Sequence, residues 1–168
     1  LRAWQQSEMS DRCKLAIVGD GPLGSTLRDL YAEERNILWL GYVAEARQRI
    51  DILRAADAFI LPSLVEGLSL SLLEAMACGT ACAATDAGAD GEVLAGGAGI
   101  VLDTRRIVEQ LSTLLPRLRD RPGWTTELGQ RARQRILERY TLTRNLNQLE
   151  ALYAELRQGR KLELSNSA

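Results

Sequence analysis

Short apolar runs alternating with amphipathic segments predict an α/β chain, a parallel sheet of about five strands with helices on both faces. Two observations carry that expectation. Each strand run is continuously apolar instead of alternating, as in strands covered on both sides, and each ends in residues that stop a strand and lead into a helix. From Thr104 onward the pattern changes and is helical throughout.

Leu15-Ala16-Ile17-Val18 is the first run, closed by Gly19-Asp20-Gly21-Pro22. Leu23 to Glu34 follows as a helix with Leu23, Leu27, Leu30 and Tyr31 on one face. Ile37 to Leu40 is the second run, ended by Gly41 and followed by a helix from about Ala46 to Ala56. Ala58 to Leu61 is the third, stopped by Pro62-Ser63. The next helix runs from Ser69 or Ser71 to Ala77, with Gly79 at the C′ position that favours glycine. Thr80 to Ala84 and Gly99 to Leu102 complete the strands.

Helices then span Thr104 to about Leu118, Thr126 to Arg139 and Thr143 to Arg157, with a break at Asp120-Arg121-Pro122-Gly123. The last carries a stripe of Leu142, Leu146, Leu149, Leu152, Tyr153 and Leu156. Residues 1–13 read as the end of a truncated helix and its lead-in, 14–140 as the sheet domain, 141–158 as a final helix and 159–168 as a frayed tail.

Composition narrows the function classes. The 168 residues are 46% apolar and 26% charged, with 21 basic and 22 acidic side chains and a formal net charge of −1. That balance leaves no electrostatic footprint for nucleic acid and no block of like charge for a membrane surface. No apolar run approaches the ~20 residues that span a bilayer. The chain opens Leu1-Arg2-Ala3-Trp4, without an initiator Met or a signal pattern, and reads as a piece of something longer from the cytoplasm. Cys13, Cys78 and Cys82 form no Cys-x-x-Cys pair and the chain has no His, so the expectation is free thiols and no metal site.

Three loops carry chemistry. Gly19-Asp20-Gly21-Pro22-Leu23-Gly24 satisfies G-x-G-x-x-G between a strand and a helix. It fits a dinucleotide fingerprint, a phosphate-proximal turn, or a plain tight turn with Pro22 at the first helical position. The dinucleotide reading lacks its partner, because the second strand ends in Leu40-Gly41-Tyr42 with no carboxylate before Glu45.

The segment Pro62 to Glu74 places Glu66 and Glu74 eight residues apart around a helix start at the end of a parallel strand, where open α/β sheets receive ligands. Amides of the first turn would face a phosphate, with the macrodipole adding ~0.3–1 kcal/mol. Gly67 permits close backbone approach. Against a ligand role for Glu74 stands a capping box, Ser71-Leu72-Leu73-Glu74, in which Glu74 returns to the Ser71 amide. Glu66 has no such structural duty. Thr85-Asp86-Ala87-Gly88-Ala89-Asp90-Gly91-Glu92 is the third loop, and Asp90 is placed to cap a short helix there.

These residues occur in the order of one family. Val18-Gly19-Asp20-Gly21-Pro22, Leu40-Gly41-Tyr42, Leu61-Pro62-Ser63 with Glu66-Gly67 and Glu74-Ala75-Met76-Ala77, Gly79-Thr80, and Ala84-Thr85-Asp86 with Gly88 and Glu92 resemble the C-terminal domain of family 4 retaining glycosyltransferases. These are the glycogen-synthase-like GT-B enzymes. The resemblance spans about Lys14 to Tyr153.

It implies a Rossmann-like domain, the C-terminal half of a GT-B fold, binding a nucleotide-diphosphate sugar as co-substrate, with no cofactor and no metal. Transfer would be metal-independent with retention at the anomeric carbon. Glu66 would be the catalytic residue, at the donor sugar hydroxyls, and Glu74 would meet the ribose. The amides of Leu68, Ser69 and Leu70, with Gly67, would face sugar and diphosphate, Tyr42 and Val43 the base, and Gly19 and Gly21 the phosphate side. The final helix would cross toward an acceptor domain encoded upstream of Leu1. That missing domain would supply the diphosphate clamp and any peripheral membrane contact. These residues alone would then be weak in binding and inactive, and prone to dimerise through the uncovered surface. The open alternatives are an NAD-dependent oxidoreductase domain and a non-catalytic nucleotide-binding or interaction domain.

Overall fold

The computed structural model describes residues 1–7, 9 and 13–157; the expected frayed tail, 159–168, lies outside them. Strands β1 (Leu15–Val18) and β2 (Ile37–Gly41) pair in parallel. Strands β3 (Ala58–Leu61), β4 (Ala81–Thr85) and β5 (Ile100–Leu102) pair in parallel in that order. The expected strands are present, but as a two-stranded and a three-stranded sheet, because the hydrogen-bond ladder does not continue from β1 to β3.

Packing joins the two sheets. In helix α1 (Arg2–Gln6), Ala3 is buried in the cluster of Ala81, Ala83, Leu102, Leu111 and Leu114. The next residue, Trp4, is buried with Tyr31 and Ile37, against Leu15, Ile17 and Trp39. Trp4 Nε1 donates to Asn36 Oδ1 at 3.2 Å, so the indole N–H is satisfied where it is buried.

The remaining helices are α2 (Gly24–Leu30), α3 (Ala46–Ala55), α4 (Leu70–Cys78), α5 (Asp90–Leu94), α6 (Ile107–Asp120), α7 (Pro122–Arg139) and α8 (Leu142–Arg157). Strand β4 is buried at every residue. On one side lie Leu72, Ala75 and Met76 of α4, Val93 and Leu94 of α5, and Ala132 and Ile136 of α7. On the other lie Leu111, Leu114 and Leu118 of α6 and Leu128 of α7. Each buried Leu, Val, Ile or Met contributes about 1.5–3 kcal/mol, so these two layers fix the position of β4.

The two-stranded sheet is covered on one face only: Ala16, Val18, Leu38 and Leu40 are exposed. A continuous apolar run therefore marks a strand here without implying two-sided burial. Helix boundaries also shift. Helix α2 begins at Gly24, so Pro22 lies in the preceding turn and not at the first helical position. Pro122 does take that position in α7, which turns the expected break into a helix start. The stripe Leu142, Leu146, Leu149, Tyr153 and Leu156 on α8 is exposed. No helix among the described residues is long and apolar enough to cross a membrane. The three cysteines are free, and burial, reinforced by Cys78, pushes the Cys82 thiol up to about 12.

Helix α7 crosses the end of α4 at Gly129, where a Cβ would collide with the Gly79 carbonyl oxygen. Gly129→Ala is expected to destabilise the fold by about 1–3 kcal/mol, the usual cost of overpacking. Gly123→Ala, in the same helix with open space around it, is expected to stabilise by up to ~1 kcal/mol. Urea unfolding of the two variants checks the contrast.

Candidate functional site

Strand β3 ends at Leu61 and helix α4 starts at Leu70, and an eight-residue loop, 62–69, separates the two. Ser69 is the N-cap: its backbone is extended and its Oγ accepts from the Leu72 N–H at 3.4 Å. Gly79 closes the helix in the left-handed conformation with φ 80°, as its sequence position predicts.

With Ser69 as N-cap, Ser71 is already inside the first turn, and the capping-box reading of Ser71 and Glu74 fails. Glu74, in the second turn, instead faces Arg49 of α3, with Nη2 3.6 Å from Oε1 and both side chains partly exposed. The same guanidinium donates from Nη1 to Ala44 O at 2.8 Å and to Val43 O at 3.4 Å. Arg49 thus ties the loop after β2 to Glu74. Of the two residues expected near a base, Tyr42 is 79% exposed, whereas Val43 is buried. No sequence motif marked Arg49, which reads as one of several charges on a solvated helix.

Glu66 is half-buried in the loop and its Oε1 accepts from Ser63 Oγ at 2.8 Å. Its backbone is gripped by the loop between β4 and α5. Thr85 Oγ1 donates to Ser63 O, Glu66 N–H donates to Ala87 O at 3.2 Å, and Ala89 N–H donates to Gly67 O at 2.7 Å. Asp90 Oδ1 then accepts from Ser69 N–H at 2.9 Å. Asp90 was expected to cap its own short helix. It is instead the first residue of α5, after an N-cap at Ala89 with no side-chain bond, and its carboxylate reaches across to α4.

The Ser69 amide, expected to face a donor, is therefore occupied. The N–H groups of Leu68 and Leu70 on either side have no partner among the described residues. Two carboxylates and open amides at a helix N-terminus can accept hydrogen bonds from hydroxyls and donate them to an anion. Leu64, Val65, Leu68 and Leu70, which flank Glu66 in the sequence, are exposed.

The glycine loop behaves as a turn. Gly19 adopts φ 115°, Asp20 Oδ1 accepts from Gly21 N–H at 2.8 Å, and a Cβ at Gly24 would press on Asp20. No hydrogen bond joins residues 19–24 to residues 63–74 among the described residues. Where a dinucleotide site needs a carboxylate at the end of β2, the strand ends at Gly41, and Arg28 lies over the Trp39 ring at 5.7 Å. A separate depression of about 450 Å³, lined by Asp86, Leu102, Asp103, Arg105 and Gln110 among others, lies at the ends of β4 and β5. No cluster of three metal-ligating side chains occurs among the described residues.

Residues 1–118 match the sequence profile described as glycosyl transferases group 1. The chain is 32% identical over 151 residues to N-acetyl-alpha-D-glucosaminyl L-malate synthase of Bacillus anthracis, a match covering 85% of this chain and 38% of that protein. It is 35% identical over 131 residues to the GDP-mannose-dependent monoacylated alpha-(1-6)-phosphatidylinositol monomannoside mannosyltransferase of Corynebacterium glutamicum, covering 73% of this chain and 34% of that one. The chain thus spans under two-fifths of either relative's length. In fold it is similar to the crystal structure of the C-terminal domain of a glycosyl transferase group 1 family protein from Francisella tularensis. That likeness has a TM-score of 0.73 at 20% identity, covering 84% of this chain and 79% of the other.

A Cβ at Gly88 would collide with the Glu66 carbonyl oxygen and approach Gly67 O to 2.7 Å. Gly88→Ala is expected to cost about 1–3 kcal/mol as the two loops are forced apart. Because the strain falls on the loops, amide exchange should accelerate at Glu66 and Ala89 while β4 stays protected; uniform acceleration would contradict this.

Proposed function

The chain belongs to the group 1 glycosyl transferases, as the C-terminal domain of a GT-B enzyme, and from that premise we propose that it is the donor-binding half of a retaining, metal-independent transferase. The observation that carries the reading is the loop pair: the β4–α5 loop holds Glu66 beside the open amides of Leu68 and Leu70, with Glu74 one turn further on.

In this reading Glu66 accepts hydrogen bonds from hydroxyls of the donor sugar, and its hold strengthens as charge develops at the anomeric carbon. Glu74 accepts from the ribose, exchanging its long contact with Arg49 for shorter bonds. The Leu68 and Leu70 amides and Gly67 receive the diphosphate, helped by the α4 macrodipole. Tyr42 and Val43 border the base, and the Gly19 and Gly21 turn stands on the phosphate side. The name of the Corynebacterium relative supports a nucleotide sugar as co-substrate.

In this reading residues 14–140 are the donor domain, and α8 (Leu142–Arg157) is the helix that crosses to an acceptor domain outside these residues. The exposed stripe on α8 suits such a crossing. Without that second half, these residues alone bind donor weakly and transfer nothing. The oxidoreductase alternative has neither the strand-end carboxylate nor a long helix after its glycine loop, since α2 has 7 residues. A purely non-catalytic domain leaves the buttressed Glu66 without a purpose.

Thermal shift of the full-length polypeptide with UDP-, GDP- and ADP-sugars beside NAD tests the reading: at least one nucleotide sugar should raise Tm. Stabilisation by NAD alone would overturn it. In the same protein Glu66→Ala should lower transfer at least a hundredfold, roughly 2.7 kcal/mol, with Tm little changed. Glu74→Gln should weaken nucleotide binding about tenfold, ~1.4 kcal/mol, without loss of helix stability. A fall in Tm with affinity intact would mean that Glu74 serves only the helix.

A further inference from the structure

Asp90 is the least expected side chain in the molecule. It is 1% exposed and sits beside Val93 and Leu94, which belong to the core. A carboxylate in such a place is costly unless its oxygens are bonded, and here only one is. Oδ1 takes the Ser69 N–H at 2.9 Å, while Oδ2 has no partner among the described residues. The residue does not cap α5, and an apolar side chain of similar size would fill the space without the cost. Its justification lies at the other end of the hydrogen bond.

That end is the N-cap of α4, between Glu66 and the first helical amides. Two backbone bonds from Ala87 and Ala89 fix Glu66 and Gly67, but they stop there. Asp90 supplies the tie that continues the grip to Ser69 and determines which way the intervening Leu68 and the following Leu70 present their N–H groups. It also takes one amide out of the set that a helix N-terminus offers to an anion.

We propose that Asp90 is a positioning residue of the donor site: by holding the Ser69 N–H it sets the path of the Glu66–Leu70 loop, so that the Leu68 and Leu70 amides, and not that of Ser69, receive the diphosphate. The proposal rests on the donor-site reading for its ligand, though not for the hydrogen bond.

Three variants of the full-length polypeptide test it: Asp90→Asn, which keeps an acceptor for Ser69, Asp90→Leu, which fills the space without one, and Asp90→Ala. Ser69 amide exchange is followed by NMR. Steady-state kinetics use whichever of UDP-glucose, GDP-mannose or ADP-glucose the wild type accepts, well below Tm and corrected for folded fraction.

Asp90→Asn should keep Ser69 protected and kcat within threefold of wild type. Asp90→Leu should expose the Ser69 amide at least tenfold faster and lower kcat at least tenfold, with KM moving less. If the leucine variant does not fold, Asp90→Ala carries the same two readings. A merely structural role would lower Tm and leave the kinetics of the folded fraction unchanged, and that result overturns the proposal. So does Ser69 protection that survives loss of the acceptor, or an asparagine variant as damaged as the leucine one. Should the wild type accept no nucleotide sugar, the donor reading has failed, and Ser69 exchange alone decides whether Asp90 holds the loop.

Discussion

The grip of one loop on another is the constraint on which the candidate site depends. Strand β4 is buried on both faces, between α4, α5 and α7 on one side and α6 with Leu128 of α7 on the other, and its end therefore has a fixed position. From that end Thr85, Ala87, Ala89 and Asp90 reach Ser63, Glu66, Gly67 and Ser69 in register. Core packing is thus transmitted to Glu66 through hydrogen bonds between backbone atoms and short side chains. Gly88 is what allows the contact to be so close, because a side chain there would occupy the space of the Glu66 carbonyl. A rigid element thus supports the loop that carries the candidate residues.

Several cations near the candidate site are already engaged by the fold. Arg49 beside Glu74 is the cation tied to the loops, and it is engaged with the Val43 and Ala44 carbonyls. Arg133 and Arg135 of α7 point elsewhere, donating to Ala77 O and Glu92 O in the last turns of α4 and α5. There they complement the negative helix ends, a structural duty. An incoming diphosphate would meet two open amides and a helix dipole, beside the carboxylates of Glu66, Glu74 and Asp90. Under the proposed donor-site reading, further positive charge for the diphosphate would have to come from outside these residues.

Most strands were legible because their signal is local: Leu15 to Val18 and Ala58 to Leu61 are continuous apolar runs bounded by stop residues, and both appear within those limits. Gly79 was legible for the same reason. What the chain did not disclose is long-range pairing. The capping-box pattern at Ser71 and Glu74 is real as a pattern, yet Ser69 wins the N-cap position because its side chain reaches the Leu72 amide and its own amide is held by Asp90, 21 residues away. Arg49 and Asp90 look like ordinary surface and capping residues until the fold brings them to Glu74 and Ser69. The division into two sheets was equally invisible, since apolar runs say where strands are and not which edges meet.

The central claim is that the N-terminus of α4, with Glu66 and Glu74, is where the nucleotide diphosphate binds. Mapping amide chemical-shift changes on a nitrogen-15-labelled sample during titration with millimolar UDP, and in parallel GDP and ADP, tests it most directly, because fast-exchange shifts report even weak binding. The account predicts changes concentrated at residues 66–74, Tyr42 and Val43, with the Leu68 and Leu70 amides moving more than that of Ser69. Shifts confined to the glycine turn at residues 19–24, or to the depression around Asp103 and Gln110, would contradict it.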